Sequence, residues 1–121
     1  MTYDPKLADR VRQALSGRRD VIEKKMFGGL CFMVRGHMCC GVDAERLMLR
    51  VGPENYTEAL RRSHAREMDF TGRPLKGFVF VELAGVRTAP LLKAWLAMAL
   101  AYVTALPQRS ATKRKTKGGK R

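Results

Sequence analysis

Hydrophobic residues near the start of the chain recur at helical spacing. Leu7 and Val11 lie about one turn apart with polar residues between them, so one face of the segment packs and the other meets water. Asp4 followed by Pro5 suits a helix start, because Asp accepts hydrogen bonds from the free amides of the first turn and Pro tolerates the first helical position. The pattern predicts a helix over residues 4–16.

Short apolar runs separated by glycine and proline then predict strands. These runs cover residues 21–27, 30–35, 38–43, 47–51, 67–70 and 78–82. Residues 53–62 predict a second helix, and Thr88 is placed to cap a third helix that runs to Leu106. We therefore expect an α+β fold in two layers, with an antiparallel sheet of about five to six strands covered by an N-terminal helix, a mid-chain helix and a long C-terminal helix.

The central hairpin is predicted to turn on Gly36 and His37, because a two-residue loop with glycine first suits a type II′ turn. That register places Cys31 and Cys40 on one face of the sheet and Cys39 on the other. Both faces of the hairpin are apolar, so we expect helices or a second subunit to cover each of them.

Charge is the property in which this chain departs from an ordinary soluble domain. Its net charge is +13 in 121 residues, and residues 107–121 hold about half of it with no acid. That segment has almost no apolar anchor and cannot bury enough surface to offset the entropy of ordering it. We expect one domain over residues 1–106 and a disordered basic tail over residues 107–121.

Three features bear on location. The start of the chain lacks the basic stretch and apolar run of a secretory signal, and the apolar stretch over residues 94–106 is too short to cross a hydrocarbon core of about 30 Å. The odd number of cysteines, three, suits reduced thiols rather than a disulfide framework. We expect a cytoplasmic protein with no membrane segment.

Several motifs in a fixed order resemble the N-terminal domain of the TfoX/Sxy family. They are Lys25-Met26-Phe27-Gly28-Gly29, Phe32-Met33, Gly36, Met38, Gly41-Val42, Arg50-Val51-Gly52 and Met68-Asp69-Phe70-Thr71-Gly72-Arg73-Pro74. The resemblance covers about residues 2–106 and implies a two-layer α+β domain. It also implies a tie to transcriptional regulation of competence for DNA uptake. Longer members carry a second helical domain, whereas this chain carries only the basic tail.

The residue patterns do not favour catalysis. The cysteines and His37 do not have the spacing of a zinc site, and Gly28-Gly29 is neither a dinucleotide nor a Walker phosphate loop. His64 has no Ser or Cys at motif spacing, and no paired carboxylates stand in an apolar setting. We predict a protein that is not an enzyme, with no catalytic, cofactor or metal site.

Basic clusters remain as candidate contacts. One joins Arg18-Arg19 to Lys24-Lys25, a second surrounds residues 61–66, and the third is the tail. Lysine and arginine bind phosphates by releasing counterions, without reading base sequence. The predicted nucleic-acid contacts are Arg61, Arg62, Arg66, Lys113, Arg114, Lys115, Lys117, Lys120 and Arg121.

Three hypotheses follow. The first is a non-enzymatic regulatory domain that acts through nucleic-acid contacts or a regulatory protein partner. The second is an enzyme or accessory of nucleic-acid modification, which would need a reactive Cys31, Cys39 or His64. The third is a protein-binding or dimerisation module without a nucleic-acid role, because the final helix is apolar on two sides and a homodimer would cover the side that the sheet does not.

Overall fold

The computed structural model describes residues 3–26, 28–68 and 75–107. Three helices and six strands form in this part of the chain. They are α1 (Pro5–Ala14), β1 (Val21–Met26), β2 (Gly29–Val34), β3 (His37–Val42), β4 (Arg46–Arg50), α2 (Tyr56–Leu60), β5 (Ala65–Glu67), β6 (Phe78–Glu82) and α3 (Ala89–Ala105), with a single 3-10 turn at Leu83–Val86.

The six strands form one antiparallel sheet in the order β1-β2-β3-β4-β6-β5. The predicted α+β fold in two layers is therefore confirmed. β1 and β5 are the edge strands. β1 is largely exposed, with Lys24 and Lys25 in its second half.

The three helices share one face of the sheet. Leu7, Ala59 and Trp95, one from each helix, join the same buried core as Phe32 and Leu49 from the strands. Asp4 caps α1 by accepting from two amides of its first turn, and Thr88 caps α3. The predicted caps are thus confirmed. We call this side of the sheet the helix-covered face.

The other face of the sheet holds a smaller cluster made of Cys31, Met48, Met68 and Phe80. Within the described residues, no helix covers this face. It is partly closed by Arg46, whose guanidinium carbon lies 3.8 Å from the centroid of the Phe80 ring. Helices therefore cover one of the two faces as expected, and cover of the other face by a second subunit stays a prediction. We call this side the helix-free face.

The predicted hairpin turn is wrong by one residue. The turn residues are Arg35 and Gly36, with φ of 55° and 84°, so both adopt the left-handed conformation that a type I′ turn requires. A β-bulge then shifts the register between Phe32 and Met33. As a result Cys40 shares the face of Phe32 rather than that of Cys31.

The bulge has a second consequence for the cysteines. Cys39 and Cys40 both lie in the core of the helix-covered face, although adjacent strand residues normally point to opposite faces. The predicted separation of Cys39 from Cys40 is therefore wrong. All three cysteines are free thiols and buried.

Two other boundaries differ from the predictions. α2 spans only Tyr56–Leu60 rather than 53–62, because residues 53–55 form a turn in which the side-chain amide Nδ2 of Asn55 donates to the Val51 carbonyl. β5 begins at Ala65, whereas the predicted strand covered 67–70, whose last two residues lie outside the described part. The predicted tail lies almost wholly outside it as well.

Candidate nucleic-acid interface

Arg61 and Arg62 follow α2 directly, and both side chains are exposed. The guanidinium carbon of Arg62 lies 5.4 Å from the centroid of the Trp95 ring in α3. This cation–π contact holds Arg62 against the helix layer. Among the described residues neither arginine has a carboxylate partner, so both charges are available to an anionic ligand.

Arg66 lies on the other side of the sheet. It stands opposite Phe80 in the register, and paired residues of antiparallel strands share a face, so Arg66 belongs to the helix-free face. Its Nε donates to Glu82 Oε2 at 3.0 Å, while His64 Nδ1 lies 3.7 Å from Glu82 Oε1. The hydrogen bond from Arg66 lowers the pKa of Glu82. The charge of Arg66 is thus offset, and the residue is separated from the two arginines described above.

The structure describes the place where the tail begins. The tail residues predicted to contact nucleic acid lie beyond Pro107, the last described residue. His37 Nε2 lies 2.7 Å from the Pro107 carbonyl oxygen, and Arg35 donates to the Thr104 carbonyl at 2.7 Å. The β2–β3 turn therefore holds the end of α3, and the tail leaves the domain beside that turn.

Basic residues gather at this same end of the sheet. The Arg35 amide donates to the Asp20 carbonyl at 3.0 Å, which places the turn before β1 beside the β2–β3 turn. Arg18 is paired with Asp20 through two hydrogen bonds, whereas Arg19 is exposed and has no carboxylate partner among the described residues. The end of β4 and the start of β6 complete this edge. We call it the basic end, defined by Arg19, Arg35, Arg50 and Lys76.

Aromatic rings fix one member of the basic end. The guanidinium carbon of Arg50 lies 5.6 Å from the centroid of Phe78 and 5.5 Å from that of Tyr102. Stacking on rings leaves the edge of a planar guanidinium free to donate hydrogen bonds. Arg50 is therefore held in one place while its N–H groups remain able to meet an anion.

The thiols are poorly suited to chemistry. Cys31, Cys39 and Cys40 are at most 3% exposed. Burial raises the pKa of Cys31, and a hydrogen bond with the Cys39 thiol, together with burial, raises that of Cys40. A thiol that stays protonated at neutral pH is a weak nucleophile. These environments disfavour the reactive cysteine that the enzyme hypothesis needs.

Three further observations concern metal ligands, membrane helices and cavities in the described ranges. No group of three or more His, Cys, Asp or Glu residues there could hold a metal ion. None of the helices there is long and apolar enough to cross a membrane. The cavity between Met26, Cys31 and Met48 is about 20 Å³, which is room for little more than one water molecule, whereas open clefts of about 330 Å³ and about 530 Å³ lie beside Lys93 and beside Arg19.

Sequence reasoning identified Arg19 within a cluster but missed Arg35, Arg50 and Lys76 as its neighbours. Each lies at a strand end, and only the strand order brings those ends together. Two signals were present in the sequence. Gly36 suits the second position of a type I′ turn as well as the first position of a type II′ turn, and Arg50 is followed by Val51-Gly52, where the strand ends.

Comparison with known proteins identifies the domain. The family model described as the TfoX N-terminal domain matches residues 13–103. The match begins at the end of α1 and reaches into α3, so it contains all six strands of the sheet. Comparisons with curated proteins and with solved structures gave no match. This 121-residue chain therefore belongs to the TfoX N-terminal domain family.

Proposed function

We propose that the chain is a cytoplasmic, non-enzymatic regulatory domain that acts through nucleic-acid contacts. The resemblance to TfoX/Sxy regulators ties this role to competence for DNA uptake. One observation carries the proposal, namely the amount of basic charge left unpaired. Of the lysines and arginines within the described residues, only Arg12, Arg18, Arg46 and Arg66 form ion pairs with carboxylates.

The unpaired charge suits a phosphate backbone. Arg61 and Arg62 are exposed, and the tail carries seven basic residues with no acid. Each contact with a phosphate releases condensed counterions, so affinity arises without any base being read. The domain would then act by binding nucleic acid electrostatically, with its target chosen by other factors.

The test is fluorescence anisotropy with a labelled duplex DNA at about 50 mM and about 200 mM salt. It compares the natural chain with a full-length variant in which every Lys and Arg of residues 108–121 is replaced by Gln. A second variant carries Arg61→Gln and Arg62→Gln. We expect the natural chain to bind with steep salt dependence and the tail variant to lose most of the affinity. No binding by the natural chain at the lower salt would overturn the proposal.

A homodimer through α3 is a second candidate. Lys93 is the only charged residue within this helix, and Leu91 is 44% exposed, so its outer side is apolar and open. A helix that is apolar all round is usually covered on every side. Light scattering at micromolar concentration in high salt would test it, because apolar association survives salt. A monomeric mass under those conditions would contradict the homodimer.

A further inference from the structure

We propose that β1 is a docking edge for an extended acidic segment of a partner protein, which adds to the six-stranded sheet as a further strand. This inference goes beyond the proposed function, because it concerns a protein partner and does not depend on nucleic-acid binding. The residues that carry it are Ile22, Lys24 and Lys25, all within β1.

The backbone of β1 is open on one side. β1 pairs with β2 alone, and within the described residues none of its backbone groups bonds to any other element. In an antiparallel pair every second residue directs both its N–H and its carbonyl away from the neighbouring strand. Half of the six residues of β1 therefore offer a donor and an acceptor to an arriving strand.

Lys24 and Lys25 give this edge a charge pattern that suits a strand. Both side chains are exposed, and neither has a carboxylate partner among the described residues. Lys24 stands opposite Cys31 on the helix-free face, and Lys25 stands opposite Leu30 on the helix-covered face. A ligand that lies on one face of the sheet meets only one of these charges. A strand that continues the sheet meets both, because its consecutive side chains alternate between the same two faces.

The acids around this edge are already bound. Those of α1, of the turn that follows it and of β1 itself are Asp9, Asp20 and Glu23. Arg12 bonds to Asp9 and to Glu23, and Arg18 bonds to Asp20. These acids are therefore engaged by arginines, and carboxylates supplied by a partner would pair with the two lysines of β1.

A second copy of the chain suits this edge less well than an acidic strand does. Its β1 would bring two further lysines, and the single acid of that strand, Glu23, is held by Arg12. Like charges that stand opposite each other on paired strands are destabilising. The partner is therefore expected to differ from this chain and to carry two acids at adjacent positions.

Ile22 supplies an apolar contact for the same strand. Its side chain is 44% exposed, and it stands opposite the half-buried Met33 on the helix-free face. A residue opposite Ile22 in an added strand would cover this exposed surface, and burial of apolar area is favourable. Antiparallel pairing places that residue two positions after the acid opposite Lys24. The partner segment therefore has the pattern acid, acid, any residue, apolar residue.

The first test is fluorescence anisotropy of the labelled peptide Val-Glu-Glu-Thr-Ile-Thr with the full chain at about 150 mM salt. We expect this peptide to bind at least about tenfold more tightly than one with lysines in place of the glutamates. Lys24→Glu and Lys25→Glu, made singly, should each weaken binding about fivefold, because an exposed attraction becomes a repulsion of similar size. The two substitutions together should weaken it roughly 25-fold.

The matched control is the full chain with Arg87→Glu and Lys93→Glu. It changes the net charge equally, at exposed residues beside the start of α3. We expect it to bind the glutamate peptide nearly as tightly as the natural chain does. The Lys24/Lys25 double variant should in turn gain affinity for the lysine peptide, a switch that a loss of folding would not produce.

N-methylation of the peptide tests the strand pairing itself. Two peptides carry methyl groups on alternating amides, one at the odd positions and the other at the even positions. Only one of these sets of amides faces β1 in a paired strand, so we expect one peptide to bind and the other to fail. Hydrogen exchange should also slow at those amides of β1 that point away from β2. Equal binding by the two peptides would overturn strand addition.

Every other occupant gives a result that overturns the proposal. Loss of binding in only one of the two single variants would place the peptide on one face of the sheet. An equal loss in the Arg87/Lys93 control would mean that net charge alone attracts the peptide. A larger loss of duplex DNA binding in the Lys24/Lys25 variant than in the control would assign the edge to nucleic acid.

Two further results would also overturn it. A dimer that forms in the natural chain and is absent from the Lys24/Lys25 variant, measured by light scattering, would assign the edge to a second copy. Failure of the glutamate peptide to bind the natural chain at millimolar concentration would show that the edge does not accept an acidic strand.

Discussion

The two faces of the sheet are built from the same six strands but use different side chains. The helix-covered face is packed with Leu, Val, Phe and Trp that are at most 4% exposed. The helix-free face is packed with methionine, cysteine and phenylalanine and is partly closed by the stacked guanidinium of Arg46. Branched and aromatic residues fit one arrangement, whereas methionine adapts to several. Stability should therefore depend more steeply on the first face than on the second.

Neighbouring residues of β4 provide the most direct test of this difference. Leu49 faces the helices at 0% exposure, and Met48 faces the other way at 5%. We expect Leu49→Ala to reduce the free energy of unfolding by about 3 to 4 kcal/mol and Met48→Ala by about 2 kcal/mol. Urea unfolding followed by fluorescence measures both. Equal losses would show that the two faces are packed alike.

Substitutions at two glycines test the same difference between the two faces. A Cβ on Gly52 would lie 2.3 Å from the Tyr102 ring of α3, and its φ of +89° is left-handed. A Cβ on Gly41 would instead meet the movable side-chain ends of Cys31 and Met48, each at 3.2 Å. We expect Gly52→Ala to cost about 2 to 3 kcal/mol and Gly41→Ala less than about 1 kcal/mol in thermal unfolding. A larger loss at Gly41 would contradict an adaptable helix-free face.

The anchoring of the helix layer predicts a smaller effect. Asp4 Oδ1 accepts from the Lys6 amide at 2.9 Å and from the Leu7 amide at 3.3 Å. We expect Asp4→Ala to cost about 1 kcal/mol and to speed hydrogen exchange in the first turn of α1. The control is Asp9→Ala, which removes an exposed ion pair with Arg12 but no cap and should cost less than about 0.5 kcal/mol. If Asp4→Ala cost no more than Asp9→Ala, packing rather than the cap would be what places α1.

The smallest effect concerns the ion pair of Arg18 with Asp20 at the basic end. Arg18 lowers the pKa of Asp20 by hydrogen bonding to both carboxylate oxygens. The pair therefore adds stability that is fully present above the ordinary Asp pKa of about 4 and is lost as the pH falls through the lower folded-state value. We expect Asp20→Asn to cost about 0.5 kcal/mol at pH 7 and nothing at low pH.

Glu45→Gln is the matched control for that measurement, because its side chain makes no hydrogen bond or ion pair within the described residues. Stability curves from urea unfolding at several pH values give the difference for each variant. A pH-independent difference at position 20 would assign the effect to the amide side chain rather than to the charge.

Local patterns were sufficient to predict most elements. Asp4-Pro5 and Thr88 predicted both major helix starts, and the run of Phe and Val at 78–82 predicted β6 with the bounds that the structure has. The hairpin failed because two turn types compete for overlapping residues, and the choice depends on Arg35 taking a left-handed conformation. A bulge then reversed the side of Cys40, which no alternation rule reveals.

The candidate interface was less predictable than the fold. Arg61, Arg62 and Arg66 are close in sequence, yet the structure places Arg66 on the face away from the other two. The reverse holds for Arg19 and Arg50, which are far apart in sequence and share one end of the sheet. Strand order and register decide both results, and both depend on long-range pairing that a linear pattern does not encode.

The edge strand β1 has a consequence for solubility. An exposed edge offers unpaired backbone groups to any other chain, and lysines on an edge are a natural protection against such strand addition. Lys24 and Lys25 are consecutive, so they point to opposite faces of the sheet. One lysine therefore projects from each face at this edge. A strand of another sheet that paired with β1 would lie next to a charged side chain on both faces. The opposite edge, β5, is only three residues long. Both borders of the sheet therefore resist the edge-to-edge growth that leads to aggregates.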